Sequence, residues 1–289
     1  ADRVAFTGNS SCGLSLVASG LDWKPGDKVA VTWPDFPSVR FPFDNLARLG
    51  VAVVEIPKRD GVVDMAAAAR LIPGCRLAVA STVDWMTGAA LPTAAFVALC
   101  HEAGALCCLD AIQSLGALPF DATSLGVDFV AAGCHKWQLG PMGLGILYVS
   151  PAADAALATV LAGWHSVRNE EQLPEIFVLK DGAGRFEPGT QDIAAIAAYG
   201  EALSLLEEVG LETVAKNIFG VTRCLAEGCL LRASAAPTAC ALQPARLAAR
   251  RCLRRRRRLS RCPCSRVRRP KRNSRDQHTA LGCASLSVC

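Results

Sequence analysis

The chain of 289 residues is 51% hydrophobic and 20% charged, proportions of a globular protein long enough to bury a substantial core. They exclude wholesale disorder, a small disulfide scaffold and a fibrous repeat, and no long uncharged apolar run signals a membrane span. The formal net charge of +5 averages two unlike pieces: residues 1–228 hold 15 Lys and Arg against 25 Asp and Glu, and residues 229–289 hold 16 against one.

In chain order, the apolar runs predict strands at Val4–Phe6, Lys28–Thr32, Val51–Ile56, Leu77–Ser81, Leu106–Leu109, Phe129–Ala132 and Gly145–Val149. Helix-length segments lie between several of them, at Cys12–Ser19, Val39–Leu49, Asp64–Leu71 and Thr93–Ala103. Lys24-Pro25-Gly26-Asp27, Pro57 and Pro73-Gly74 mark joints. Beyond Pro151 the pattern predicts helices over Ala152–Ala162, Ile193–Leu211 and Leu211–Leu225, and periodicity fails past Glu227. Strands alternating with helices predict an α/β fold, a mostly parallel sheet with helices on both faces. Such sheets bind their ligands at the carboxyl ends of strands, so the polar residues just after each strand are where chemistry is expected.

Cysteine is split evenly, seven in residues 1–228 and seven in the last 61. The first seven sit mostly in apolar runs such as Leu106-Cys107-Cys108-Leu109, where a reduced thiol acts as a small hydrophobe. That usage points to a reducing, cytoplasmic compartment. The opening residues have no signal-peptide pattern and read as the middle of a domain rather than its start.

Cys107 to Val149 is the most informative stretch. Asp110 stands directly after an apolar strand, with Gln113 three residues on. After the next strand come His135 and Lys136, then Gly140-Pro141-Met142-Gly143-Leu144-Gly145. A lysine among apolar residues at a strand end can be made nucleophilic by desolvation and form a Schiff base. A carboxylate in the same crevice could keep a pyridine nitrogen protonated. Singly, such an Asp reads as a cap and such a His-Lys pair as a solvated loop; the ordered set is far more specific.

With those residues in place, the sequence resembles the class V aminotransferase family, the fold-type I pyridoxal-phosphate enzymes that include cysteine desulfurases, kynureninase and isopenicillin-epimerase-like proteins. The resemblance covers about residues 4–228, the large cofactor-binding domain. It implies that Lys136 forms the Schiff base and moves the substrate's α-proton, that Asp110 pairs with the pyridinium nitrogen, and that Gln113 faces the cofactor's phenolic oxygen. It puts His135 beside the phosphate. The family often has Ser two residues before this His, where this chain has Gly133. Thr7-Gly8-Asn9-Ser10-Ser11 resembles the family's phosphate loop, with Ser10 and Ser11 as its hydroxyl pair; alone, a Ser there would read as a helix cap. Asp35-Phe36-Pro37-Ser38 resembles the kynureninase-like branch and makes Phe36 the residue stacked on the cofactor, with a core aromatic as the plainer alternative. Arg185-Phe186-Glu187-Pro188-Gly189-Thr190 resembles a family segment whose Thr reaches the neighbouring subunit's phosphate; Thr190 would then serve a homodimer, with Glu187 structural.

Two departures shape the expectation. Trp85 stands where cysteine desulfurases carry an Asn against the cofactor, which weighs towards an aminotransferase or an epimerase-like branch. The segments before the phosphate loop and after about Leu225 do not match the family's pattern. Residues 229–289, with 15 Arg, seven Cys and no apolar periodicity, are expected to form no core. Their composition suits out-of-frame coding, ahead of a basic nucleic-acid-binding arm or a zinc site at Cys262-Pro263-Cys264 with His278. The expected function is therefore a pyridoxal-phosphate-dependent class V aminotransferase acting on an amino acid. A cysteine desulfurase or other lyase or epimerase of the family is the first alternative, and an inactive fragment the second.

Overall fold

The computed structural model describes residues 2–172 and 176–233, with side chains to residue 228. Eight strands form one sheet: β1 Val4–Thr7, β2 Lys28–Trp33, β3 Ala52–Arg59, β4 Val62–Val63, β5 Leu77–Ser81, β6 Leu106–Asp110, β7 Phe129–Gly133 and β8 Gly145–Val149. Their spatial order is β1-β8-β7-β6-β5-β2-β3-β4. The central pairs β3/β2, β2/β5, β5/β6 and β6/β7 are parallel, and β1/β8, β7/β8 and β3/β4 are antiparallel. The α/β expectation holds, and each of the seven expected strands is present within a few residues.

Helices cover both faces. α1 (Ser10–Gly20) and α2 (Pro37–Asp44) pack on one, with Leu14, Val17, Val39 and Phe43 buried against Val29, Val31, Val79 and Cys108. α3 (Met65–Leu71) and α4 (Thr93–Glu102) pack on the other, with Ala68, Phe96 and Cys100 against Ala30, Ala78, Cys107 and Leu109. The strands thus alternate their side chains between two cores, which is why they read as continuous apolar runs. A one-turn helix α5 (Ala122–Leu125) precedes β7. Near the end come α6 (Ile193–Val209) and α7 (Leu211–Ala233). No described helix is long and apolar enough to cross a membrane. The Arg- and Cys-rich segment beyond residue 233 lies outside the described residues.

Two helix expectations are corrected. Val39–Leu49 is not one helix: α2 ends at Asp44 and a 3-10 turn, Asn45–Leu49, closes on Gly50. Pro42 inside α2 has no N–H for the helical ladder. Ala152–Ala162 forms only a 3-10 turn at Asp154–Ala156. The carbonyls of Asp154 and Leu157 accept instead from the Arg185 guanidinium, at 2.8 and 3.0 Å, and Ala158 N–H donates to Gly20 O at 2.8 Å. Tertiary partners have taken the groups a helix would use.

The chain order runs outward in one direction from β2 and in the other from β5, so the crevice between them is the switch point of the sheet. Behind it, the segments after β6 and β7 meet backbone to backbone. Gly116 (φ +86°) lies so close that a Cβ there would come 2.4 Å from Trp137 O and 2.7 Å from Gln138 N. Gly116→Ala should therefore cost on the order of 3 kcal/mol, through both strain and overlap. Thermal unfolding checks this, and an unchanged midpoint would contradict the packing.

Candidate active site

The parallel strands all present their carboxyl ends along one edge, and the candidate residues gather there. Ser10 follows β1, Asp35 and Phe36 follow β2, Asp84 and Trp85 follow β5, Asp110 ends β6, and His135 and Lys136 follow β7. Ser81 on β5 lies opposite Asp110 on β6 in the ladder.

Asp110 is 2% exposed, and its Oδ1 accepts from Ile112 N–H at 3.0 Å. Burial pushes its pKa up to about 7; the Asp35 charge adds to the rise, while the Ile112 bond and the Lys136 ammonium oppose it. A carboxyl with a raised folded-state pKa binds its proton more tightly folded than unfolded. Its contribution to stability is therefore fully present below the ordinary carboxylate range and is lost as the pH rises through about 7. In protein without ligand, Asp110→Asn should raise the unfolding midpoint at pH 8 and leave it nearly unchanged at pH 4. The difference is on the order of a few kcal/mol, and an equal effect at both pH values would refute the assignment.

Lys136 sits in the turn after β7, with Nζ 5.9 Å from the centre of the Phe36 ring. That turn is braced from behind: Gly140 N–H donates to Cys134 O at 2.9 Å, and Gln138 Nε2 donates to Gly133 O at 3.4 Å. The buried Tyr199 hydroxyl of α6 donates to Gln138 Oε1. Gln113 Oε1 accepts from Trp137 Nε1 at 3.2 Å, which ties the segment after Asp110 to the lysine turn. His135 is exposed beside it. A Cβ on Gly133 would meet the His135 ring and Ile112 at 3.1 Å, so those side chains fill the space that a serine at this position would need.

The loop before α1 is capped by Asn9, whose Oδ1 accepts from Cys12 N–H at 2.9 Å. The cap is thus Asn9, which relieves Ser10 and Ser11 of that role. Ser11 Oγ lies 2.6 Å from Ser38 Oγ, joining this loop to the Phe36 segment. Phe36 is 43% exposed, which removes the core-aromatic alternative, and it meets Trp85 edge-on with ring centres 5.6 Å apart.

Thr190 lies elsewhere, in an open depression of about 630 Å³ lined by Val4, Phe6, Trp164, Glu187 and Ile193. Glu187 Oε1 accepts from Phe6 N–H at 2.7 Å and so anchors β1. Arg185 is buried and ion-paired with Asp154 at 2.7 Å. Both roles are structural.

The sequence reading missed Lys58. Its side chain is 2% exposed, and its Nζ donates to Asp35 Oδ2 at 3.0 Å and Asp84 Oδ2 at 2.6 Å. Asp35 also accepts from Thr32 Oγ1, Phe36 N–H and Ser81 Oγ at 2.7–2.9 Å. The run Pro57-Lys58-Arg59-Asp60 looks solvated, and no local signal marks the difference.

A buried carboxylate ending β6 and a lysine just after β7 thus stand at neighbouring strand ends of an α/β sheet, on the edge where such folds bind their ligands. The family model for class V aminotransferases matches residues 1–232, and the chain belongs to that family. A probable cysteine desulfurase of Methanothermobacter thermautotrophicus is 31% identical over 219 residues, 75% of this chain and 54% of that protein. A cysteine desulfurase of Klebsiella pneumoniae is 30% identical over 225 residues, with the same shares. The chain spans about half the length of the curated relatives it matches. Among solved structures, the apo cysteine desulfurase of Thermococcus onnurineus aligns with a TM-score of 0.73 at 27% identity, over 78% of this chain and 57% of that one. A C-DES variant with glycine covalently linked to its PLP cofactor aligns with a TM-score of 0.72 at 29% identity, over 78% and 61%.

Proposed function

We propose that the chain carries the pyridoxal 5'-phosphate site of an enzyme acting on an amino acid, and that its reaction is amino-group transfer. The observation that carries this reading is Asp110, a carboxylate buried against its own preference with the Lys136 ammonium among its electrostatic partners. A pyridinium nitrogen is the cation that would relieve that burial, so the residues present fit the cofactor. When bound, pyridoxal phosphate supplies an electron-poor ring that stabilises negative charge at a substrate's α-carbon.

Each residue then has a defined task. Asp110 holds the ring nitrogen protonated. Lys136 would hold the cofactor through Nζ, and the same amine would take up the substrate's α-proton and deliver it at the reacting carbon. Gln113, its Oε1 engaged by Trp137, would have its amide nitrogen left to donate to the phenolic oxygen. Phe36 covers one face of the ring. Ser10, Ser11 and His135 serve the phosphate, Ser10 and Ser11 from the N-terminal turn of α1. Thr190, remote from these residues in a depression at the β1 side, would serve the phosphate of a second copy in a homodimer. Cys75, Cys100, Cys107, Cys108 and Cys134 are buried free thiols, which supports a reducing, cytoplasmic setting.

A second reading, carbon–sulfur bond cleavage, is favoured by the relatives named as cysteine desulfurases and by C-DES, described as a cystine C-S lyase. Trp85 at the site of the desulfurase Asn counts the other way. The two readings separate in one assay of the cofactor-loaded protein with a panel of amino acids. Amino transfer to 2-oxo acids without sulfide or persulfide supports the first. Sulfur release from cysteine or cystine without transfer overturns it in favour of the second.

A further inference from the structure

Lys58, Asp35 and Asp84 form a buried ion cluster for which the proposed chemistry has no use. Two carboxylates share one ammonium, and none of the three side chains is more than 6% exposed. Such burial is unfavourable unless each charge is well paired, and here each is. Lys58 donates to both carboxylates. Asp35 accepts three further hydrogen bonds, and Asp84 accepts from Met86 N–H, Thr87 N–H and Thr87 Oγ1 at 2.8–3.0 Å. Although burial opposes it, the Lys58 and Thr87 donors hold the Asp84 carboxyl below its usual range.

What the cluster joins is informative. Asp35 directly precedes Phe36, and Asp84 directly precedes Trp85. The two carboxylates lie on loops after β2 and β5, the strands flanking the switch point, and Lys58 reaches both from β3. The two aromatic rings meet edge-on at 5.6 Å, and the Phe36 ring lies 5.9 Å from Lys136 Nζ. Both rings are more than 40% exposed, so packing alone does not fix them.

We propose that Lys58 is a positioning residue: by tying Asp35 to Asp84 it holds Phe36 and Trp85 together as one aromatic wall beside Lys136. This rests on the cofactor reading for its consequence, but the tie itself is a property of the protein without ligand. A hydrophobic replacement at position 58 would leave two carboxylates facing one another, and the loops would part. Asp84→Asn is the gentler variant. It keeps an amide oxygen for Met86 and Thr87 and leaves Lys58 paired with Asp35 alone.

The test compares full-length wild type, Lys58→Met and Asp84→Asn with Val97→Ala, a core truncation on α4 that lowers stability away from the loops. Trp85 emission is isolated by subtracting the matching Trp85→Phe protein, and pyridoxal phosphate affinity is measured by absorbance titration, both well below each unfolding midpoint. Lys58→Met and Asp84→Asn should shift Trp85 emission to the red and weaken cofactor binding by about tenfold or more. Val97→Ala should do neither. A folded Lys58→Met protein with wild-type emission and affinity overturns the proposal; if Lys58→Met does not fold, the same result for Asp84→Asn overturns it. Wild-type protein that binds no pyridoxal phosphate would instead refute the cofactor reading, and Trp85 emission in the unliganded proteins still decides the tie.

Discussion

Lys136→Ala is expected to abolish turnover, by roughly 10³-fold or more, because it removes both the covalent anchor and the base that moves the α-proton. The protein should still fold. Lys136 ends no strand and belongs to neither main core cluster, and the turn around it is braced by Gln138, Tyr199 and the Cys134–Gly140 bond. Added ethylamine should restore part of the α-proton exchange, since a small amine can enter the space vacated by the side chain. Wild-type rates of α-proton exchange in Lys136→Ala, followed by loss of deuterium from labelled amino acids, would contradict the assignment.

Asp110→Asn carries the second largest effect. The amide cannot hold a ring nitrogen protonated, and turnover should fall by roughly 10²–10³-fold, the scale of losing one preorganised electrostatic partner. This is the same substitution that should stabilise the protein without ligand at pH 8. Gain in stability and loss of activity from one change is what a carboxylate held for function rather than for folding requires. Steady-state kinetics on the cofactor-loaded variant decides it. Turnover within a few fold of wild type would mean that Asp110 is only a buried structural acid.

Much of this arrangement could be read before the fold was known. Asp110, His135 and Lys136 each follow an apolar run at once, and in a parallel sheet that rule alone places them on one edge. Ser10 and Ser11 stand out as phosphate candidates only through the family resemblance, since locally a Ser there reads as a helix cap, and the cap itself is Asn9. What escaped depends on side-chain contacts between distant segments. Lys58 donates to residues 23 and 26 positions away, and a lysine in a polar run at the end of a strand carries no mark of being buried. The missing helix at Ala152–Ala162 failed for the same kind of reason, because Arg185, 31 residues from Asp154, captures its carbonyls. The space above Gly133 likewise became legible only when the His135 ring was seen to fill it.

The cysteines show local pattern and burial agreeing. Burial pushes the Cys107 and Cys108 thiols far above their ordinary range, and Cys134 up to about 11. At neutral pH these are hydrophobic fillers with almost no thiolate character. None of the three is placed to act as a sulfur nucleophile, so a desulfurase reaction would have to draw that group from elsewhere.

The central claim is that Lys136 carries the cofactor. Purified full-length protein incubated with pyridoxal phosphate, reduced with borohydride, digested and analysed by mass spectrometry tests it directly. The account predicts one peptide carrying the reduced pyridoxyl-phosphate group, with the modification on Lys136. Label spread over surface lysines such as Lys24 and Lys28, or no label at all, would contradict it.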